Sequence, residues 1–363
     1  MKTVLPALGT NGRANVTNDK QEPMTVIRNN PTAGDALTPR STHSPDSDVA
    51  FTEVAEKVRE LADSIETVII GKREVVELAI TCLLCNGHLL IEDIPGVGKT
   101  TLAKSIAKSL GCLFKRVQFT PDLLPADITG TAIFNQQNSQ FEFREGPVFA
   151  NIVLADEINR ATPKTQSSLL ECMEERQVTV DGITYELPNP FFVIATENHI
   201  ESHGTYPLPE AQLDRFQMRL SMGYPDRDQE SQILARQVRE HPLKSIEAAL
   251  SREDIVYLQN EVRNVFVDGS LRDYIVDIVH RTRKHPQVVV GASPRGSLAL
   301  LHSAQAYAAI HGRTYVLPDD VKRLAAPVLT HRMILRPEAR LKASSADSII
   351  REILAAAPVP TSM

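Results

Sequence analysis

Residues 92–101 read EDIPGVGKTT, a glycine-containing stretch between an apolar strand and a helix that indicates the fold of the chain. The phosphate-loop pattern G-x-x-x-x-G-K-[ST] ends in three residues that Gly98, Lys99 and Thr100 supply. The first glycine of the pattern falls at position 93, where this chain has Asp93. The departure raises the question of whether the loop binds phosphate or is an ordinary turn between a strand and a helix.

The residues beside the departure favour phosphate binding. Backbone N–H groups at a helix N-terminus attract anions, and Gly96 and Gly98 allow the backbone to approach one closely. Lys99 is a flexible cation that can reach terminal phosphates, and the Thr100 hydroxyl suits Mg²⁺. An apolar strand precedes the loop and an amphipathic helix follows it. This order predicts a nucleotide site despite Asp93, with a bare strand-to-helix turn as the alternative.

Composition limits the classes of function. The chain has 363 residues, enough for about two domains, and a net charge of −6 that gives no general reason to bind nucleic acid. No apolar run approaches the roughly 20 residues of a membrane span. Pro6 interrupts the N-terminal segment, so we expect no signal peptide. The 4 cysteines without a secretory signal indicate reduced thiols, and we expect a cytoplasmic protein.

The chain divides into three predicted regions. Residues 1–48 are rich in Pro, Asn, Thr and Ser and contain no aromatic residue, so they bury too little apolar surface to offset their ordering entropy. We expect a disordered tail there. Over residues 49–224 apolar strands alternate with helices, which predicts an α/β domain whose parallel sheet is covered on both faces. Strand signals stop near Pro225, and residues 225–363 are predicted to form a small all-helical domain.

Two apolar strands end in polar residues. Residues 151–157 read NIVLADE, and the carboxyl end of a parallel strand would place Asp156 and Glu157 beside the phosphate loop. Asp156 would then hold magnesium, and Glu157 would orient or polarise the attacking water. Residues 191–198 read FFVIATEN, so Asn198 could bond the terminal phosphate or the water. Taken alone, such acids often only cap the next helix, and asparagine often only forms a turn.

Two arginines lie in compact motifs. Arg215 belongs to LDRF at 213–216, and Arg295 belongs to GASPRG at 291–296. The alternative for each by itself is an ordinary surface arginine. Ser293 and Pro294 are residue types preferred at the N-cap and the first turn, so they predict a helix that begins there.

The order of these motifs resembles that of the AAA+ ATPases. Four segments are similar to the MoxR family within that group, over a match from about Phe51 to Ile353: LLIEDIPGVGKTTLAK, LADEINRA, GTYPLPEAQLDRF and GASPRGSLAL. In that family an aspartate also recurs in place of the first glycine, so the resemblance implies a loop that binds ATP with Mg²⁺. The fold it implies is a AAA+ P-loop NTPase core, a parallel sheet flanked by helices, followed by the all-helical domain as a lid.

The resemblance also assigns roles residue by residue. Asp156 and Glu157 match the Walker B pair, and Asn198 matches the sensor-1 position. Arg215 resembles the arginine finger that acts on a neighbouring subunit's nucleotide, and Arg295 resembles the sensor-2 arginine of the lid. The implied magnesium ligands are Thr100 and Asp156. The resemblance places Ile70 and Gly71 beside the adenine. The rest of the implied nucleotide-binding set is Asp156 and the loop residues Pro95, Gly96, Val97, Gly98, Lys99, Thr100 and Thr101.

One segment departs from the family pattern. MoxR-like proteins usually have Gln-Asn-Pro where this chain has Glu197, Asn198 and His199. The asparagine is retained. An added carboxylate near the phosphates would weaken nucleotide binding or slow turnover, so the departure bears on the rate more than on the reaction.

Two further segments suggest how hydrolysis is used. Residues 119–148 form an insertion too long for an ordinary loop, and residues 178–185 read as a β-hairpin around Asp181-Gly182. In MoxR-like proteins these correspond to the helix-2 insert and the hairpin before sensor 1, which the resemblance places on one face of a ring, against a substrate protein. The alternative is a simple extension of the sheet.

The leading hypothesis is a hexameric, magnesium-dependent ATPase that remodels or matures partner proteins, in the manner of a chaperone. The family resemblance implies clients with von Willebrand factor A domains. One alternative is a nucleotide-controlled DNA-binding or transcriptional regulator, which would need a helix-turn-helix module or a basic patch. Another is the motor subunit of a metal chelatase, which shares the insertion and the hairpin.

Overall fold

The computed structural model describes residues 45–198, 204–238, 242–341 and 345–360. The helices that precede the last strand of the central sheet are α1 (Pro45–Glu66), α2 (Arg73–Leu84), α3 (Lys99–Ser109), α4 (Pro125–Thr129), α5 (Pro163–Glu175) and α6 (Glu210–Leu213). The helices that follow it are α7 (Arg227–Gln237), α8 (Arg252–Glu261), α9 (Gly269–Lys284), α10 (Pro294–Ile310), α11 (Pro318–Leu329), α12 (Pro337–Leu341) and α13 (Ala346–Ala356). Short 3₁₀ turns cover Ile158–Arg160, Pro242–Lys244, Val262–Asn264 and Thr330–Arg332.

Within the described residues, the strands form one main sheet and three small pairs. The main strands are β1 (Leu89–Glu92), β2 (Phe114–Gln118), β5 (Ile152–Asp156), β8 (Phe192–Glu197) and β9 (Met218–Leu220). The paired strands are β3 (Gly130–Asn135) with β4 (Gln140–Glu145), β6 (Gln177–Val180) with β7 (Ile183–Glu186), and β10 (Val288–Val290) with β11 (Ile334–Leu335).

The predicted tail falls largely outside the described residues. Its last four positions, 45–48, belong to α1. The proposed boundary between residues 224 and 225 remains a prediction.

The predicted parallel sheet is confirmed. Its order is β2-β5-β8-β1-β9, and every neighbouring pair is parallel. All five residues of β5 are buried, as expected for a strand covered on both faces. The register aligns the carboxyl ends, with Gln118 opposite Asp156 and Glu92 opposite Glu197. The sheet therefore brings the ends of four strands to one edge, beside the loop that follows β1.

Side chains alternate between two apolar cores on the two faces of the sheet. In β8, Phe192 and Ile194 join the core that contains α1, α2, α3 and the C-terminal helices. Val193 and Ala195 join the core under α5. This period of two is what directs each polar residue at a strand end to one face or the other.

The insertion and the predicted hairpin lie together. The insertion folds as α4 followed by the antiparallel pair β3–β4, and the hairpin β6–β7 turns at Asp181 and Gly182, both at positive φ. The Phe143 ring stacks on Tyr185 with centroids 4.1 Å apart. The two hairpins thus pack on each other through an aromatic contact.

Among its described residues, the region predicted to be all-helical has two β features: the short pair β10–β11, which joins the end of α9 to the segment after α11, and an isolated bridge between Phe266 and Tyr315. The helix start at Ser293 is confirmed, since Ser293 Oγ accepts a hydrogen bond from the Arg295 N–H at 3.1 Å. Helix α10 packs against α1, α2, α9 and α11. Among the described helices, none is long and apolar enough to cross a membrane.

A buried ion pair joins this region to the sheet. The Arg332 side chain is 2% exposed, and its Nε donates to Asp214 Oδ1 at 2.8 Å. The same guanidinium donates to the carbonyl of Phe216 at 2.6 Å and to the carbonyl of Val328. Asp214 and Phe216 precede β9, whereas Val328 lies in α11, so a single side chain holds both regions.

We expect Asp214→Ala to lower the free energy of unfolding by about 3 kcal/mol or more, because it leaves a buried guanidinium without its counter-charge. Urea denaturation measures the loss. The matched control is Asp277→Ala, which breaks the more exposed Arg281–Asp277 pair of α9 and should cost less than about 1 kcal/mol. Equal losses in the two variants would contradict the role assigned to Arg332.

Candidate functional site

The predicted phosphate loop has the geometry of an anion cradle. Gly96 and Gly98 have φ of 85° and 94°, in the left-handed region that side chains rarely adopt. A Cβ placed on Gly96 would meet nothing within 4 Å, so the backbone is open on that side. Helix α3 begins at Lys99 with no side-chain cap on its first N–H groups. Those groups remain available to an anion, as phosphate binding requires.

Asp93, at the start of the loop, is 7% exposed. Its Oδ1 accepts a hydrogen bond from the Ile94 N–H at 2.8 Å. Its Oδ2 accepts from Ser221 Oγ at 2.9 Å, from the Met222 N–H at 2.5 Å and from the Gly223 N–H at 2.7 Å. Burial alone would raise the pKa of this carboxyl, but the hydrogen bonds outweigh it and hold the pKa below its usual value. The departure from the loop pattern thus ties the loop to the segment after β9.

Lys99 is held over the loop by backbone oxygens. Its Nζ donates to the carbonyl of Asp93 at 2.7 Å and to the carbonyl of Glu197 at 3.1 Å. Burial lowers the pKa of the Lys99 ammonium, and the carboxylates of Asp93, Asp156 and Glu157 oppose part of that shift. The charge therefore lies between the ends of β1 and β8, where terminal phosphates would meet it.

Asp156 and Thr100, the two predicted magnesium ligands, lie close together. Thr100 Oγ1 lies 3.5 Å from Asp156 Oδ2, and Thr196 Oγ1 donates to Asp156 Oδ1 at 2.7 Å. Arg116 donates to Asp156 Oδ2 through Nε at 2.9 Å and Nη2 at 2.6 Å. Mg²⁺ in nucleotide sites is usually bound by one or two protein oxygens together with phosphates and water. The Thr100 hydroxyl and the Asp156 carboxylate are oxygens of this kind beside the phosphate loop. The donor set fits the predicted metal.

Glu157 occupies an uncommon backbone conformation, with φ 57° and ψ 52°. Its N–H donates to Thr196 Oγ1 at 2.9 Å, and its Oε2 accepts from Gln118 Nε2 and from Arg160 Nε, each at 3.0 Å. A residue keeps such a conformation only where surrounding contacts hold it, and residues of this kind cluster at functional sites. The carboxylate is thereby fixed next to Asp156.

Sequence reasoning missed Arg116 and Gln118. Arg116 Nη2 also donates to Gln118 Oε1 at 2.7 Å, so these two residues of β2 link the carboxylates of Asp156 and Glu157. The only signal in the sequence is their alternate spacing near the end of a predicted strand. That spacing indicates a shared face, but not that β5 is the neighbour.

Asn198 follows β8 and is 6% exposed. Glu197, one of the two residues that depart from the family pattern, is half-buried on the face of β8 that Val193 and Ala195 share. Burial raises the pKa of Glu197 to about 7, the nearby Glu92 carboxylate adds to the shift, and Arg219 opposes it. Its carboxyl thus interacts with residues of β1 and β9. His199 lies outside the described residues.

The segment predicted to contact adenine packs against the start of α7. Ile70 is 9% exposed, and Gly71 has φ 68°. Gln229 Nε2 donates to the Gly71 carbonyl at 3.4 Å, and a Cβ on Gly71 would lie 2.2 Å from that nitrogen. Lys72 Nζ donates to the Tyr224 carbonyl at 2.9 Å. This end of the predicted nucleotide site therefore combines residues that precede β1 in the chain with residues that follow β9.

Arg215 and Arg295 are brought together, but not at the phosphate loop. Arg295 Nη2 and Arg215 Nε both pair with Glu174, the latter at 3.4 Å. All three line a cavity of about 340 Å³ together with residues 85–88, which precede β1. The phosphate loop follows the other end of β1. A strand of four residues is roughly 13 Å long, so about that distance separates the loop from the cavity. The two arginines therefore lie far from the loop of their own chain.

Comparisons with known proteins match both regions of the chain. Residues 88–218 match a family described as ATPases associated with various cellular activities (AAA), and residues 280–353 match an AAA lid domain. An uncharacterized protein, YeaC, from Bacillus subtilis is 54% identical over 298 residues, which cover 82% of this chain and 93% of the relative.

Two relatives carry MoxR names. Chaperone MoxR1 of Mycobacterium tuberculosis is 42% identical over 305 residues, which cover 82% of this chain and 80% of that protein. Protein MoxR of Paracoccus denitrificans is 31% identical, with 84% and 96% covered. A crystal structure from Cytophaga hutchinsonii, of a protein with a provisional ATPase assignment, superimposes with a TM-score of 0.80 at 38% identity and covers 87% of this chain and 98% of the other.

Glu197→Gln should stabilise the protein more at pH 8 than at pH 5. The pKa of Glu197 is about 7 in the folded chain and ordinarily 4.5, so the cost of ionising it is fully present above pH 7 and disappears as the pH falls towards 4.5. The gain in the free energy of unfolding at pH 8 should be at most about 3 kcal/mol. Thermal unfolding at both pH values measures it. An equal change at both would contradict the raised pKa.

Proposed function

Because the chain belongs to the MoxR family of AAA+ ATPases, we propose that it hydrolyses ATP to ADP and phosphate and uses the reaction for chaperone-like remodelling of partner proteins. The observation that carries this proposal is the meeting of three groups at one edge of the sheet. They are the open glycine loop, the Thr100–Asp156 oxygen pair and the fixed carboxylate of Glu157.

Each residue has a physical task in the proposed reaction. The N–H groups at the start of α3 and the Lys99 ammonium bind the phosphates. Thr100 and Asp156 would hold Mg²⁺, which when bound neutralises charge on the phosphates. Glu157 orients the attacking water and accepts its proton, with Gln118 and Arg160 keeping its carboxylate in place.

The position of the arginines supports an assembly. Arg215 and Arg295 lie at the far end of β1 from their own phosphate loop, yet cations at the phosphates are worth much in phosphoryl transfer. A ring supplies them from the neighbouring subunit, so that each site is complete only on assembly. We propose a homo-oligomer, with six subunits as the expected number.

The hairpins support a protein client. On one face of β3–β4, Phe134 and Phe141 are 48% and 74% exposed, and Ile183 of β7 is 57% exposed. Apolar side chains exposed on neighbouring elements commonly mark protein contacts. The name of the mycobacterial relative, a chaperone, favours this use. Clients with von Willebrand factor A domains and a cytoplasmic location are part of the proposal.

Glu157→Gln should bind ATP normally and hydrolyse it about 10²- to 10⁴-fold more slowly, because it loses the positioned base. Lys99→Ala should lose ATP binding itself. Fluorescent-nucleotide titration and phosphate release separate the two effects, and Glu171→Gln, exposed on α5, is the matched control. A Glu157→Gln variant that loses binding as well would assign that residue a structural role.

Arg215→Ala should bind ATP yet hydrolyse it poorly, and the defect should be repaired in mixed rings. A Lys99→Ala subunit has no working site but keeps Arg215, so it can complete the site of an adjacent Arg215→Ala subunit. In an equal mixture about one quarter of the sites regain activity, since half hold ATP and half of those have an intact neighbour. Arg281→Ala on α9 is the control. A mixture no more active than its parents would exclude action between subunits.

A further inference from the structure

The segment Ser221–Tyr224, here called the β9 exit, touches both ends of the proposed nucleotide site. At one end, Ser221, Met222 and Gly223 donate hydrogen bonds to Asp93 at the start of the phosphate loop. At the other end, the Tyr224 carbonyl accepts a hydrogen bond from Lys72 Nζ at 2.9 Å. A single short segment therefore spans the distance between the loop and the residues expected to meet the base.

Asp93 is the group that attaches the β9 exit to the phosphate loop. Met222 is 5% exposed, so its N–H would be buried without a partner if the carboxylate were removed. The backbone of Asp93 serves the loop as well, since its carbonyl accepts from Lys99 Nζ at 2.7 Å. A glycine at this position, as in the general pattern, could keep the carbonyl but none of the carboxylate contacts.

The contacts beyond the β9 exit complete the connection. Gln229, in the first turn of α7, donates to the Gly71 carbonyl and leaves no room for a Cβ on Gly71. Gly223 has φ 62°, a conformation that suits a sharp turn between β9 and α7. The path from the phosphate loop to the Ile70–Gly71 segment thus runs through Asp93, the β9 exit and α7.

We propose that Asp93 is a positioning residue that joins the phosphate end of the nucleotide site to its base end. With Asp93 in place, the two ends are linked through the β9 exit before a nucleotide binds. Without it, a ligand that contacts both ends must order the β9 exit on binding, whereas a ligand that contacts only the loop need not. The inference rests on the proposed nucleotide site and concerns how its two ends are coupled.

The test compares ATP with inorganic tripolyphosphate, which has the phosphates and no base. We expect Asp93→Gly and Asp93→Asn to weaken ATP binding about tenfold and tripolyphosphate binding less than about threefold. Both variants lose the charged group that accepts hydrogen bonds from the β9 exit, but neither changes the backbone N–H groups of the phosphate loop. Binding is followed by calorimetry on the full chain with Mg²⁺, without any measurement of turnover. Ser221→Ala, which removes one of the contacts, should show the same preference with a smaller loss, about twofold for ATP.

Each outcome bears on a separate claim. Equal losses for both ligands, or no loss for either, would overturn the coupling role of Asp93 while leaving the ATPase proposal intact. A wild-type chain that binds neither ligand would instead overturn the proposed nucleotide site. Thermal unfolding of each variant identifies those that fold, and Ser221→Ala keeps the test decisive if Asp93→Gly does not.

Discussion

The buried guanidinium of Arg332 is the contact on which the arrangement of the two regions depends. A charge with 2% of its side chain exposed must find partners in its surroundings, and Asp214 with the carbonyls of Phe216 and Val328 supplies them. These partners come from the segment before β9 and from α11. The sheet and the C-terminal helices are thus locked by polar contacts that tolerate little displacement.

The same contact sets the position of the two arginines at the far end of β1. Asp214 adjoins Arg215 in the chain, and its second oxygen accepts from Ser293 Oγ at 2.9 Å, the cap of the helix that contains Arg295. Glu174 then pairs with both arginines. A lid held in this way keeps both cations away from the phosphate loop of their own chain, and the proposed action between subunits rests on this geometry.

At the other end of the sheet, three carboxylates lie in different surroundings. Asp93 is saturated with hydrogen bonds and has a lowered pKa, which suits a permanent structural anion. Asp156 has Thr100 beside its Oδ2, and Arg116 donates to the same oxygen, so a cationic side chain balances its charge in this structure. Glu157 is held in a left-handed conformation by neighbours from three elements. The parallel register brings these three carboxylates to one edge of the sheet.

The sequence by itself determined the parallel sheet, the glycine loop between β1 and α3 and the acids at the end of β5, because local order and apolar runs specify a strand–loop–helix unit without knowledge of the rest. It did not determine that Arg116 and Gln118 meet those acids, since periodicity identifies the face of a strand and not its neighbour. Nor could it show what Asp93 contacts, because Ser221 lies more than a hundred residues away. The placement of Arg295 depended on a buried pair between distant segments, and only tertiary packing decides which distant groups a desolvated charge will find.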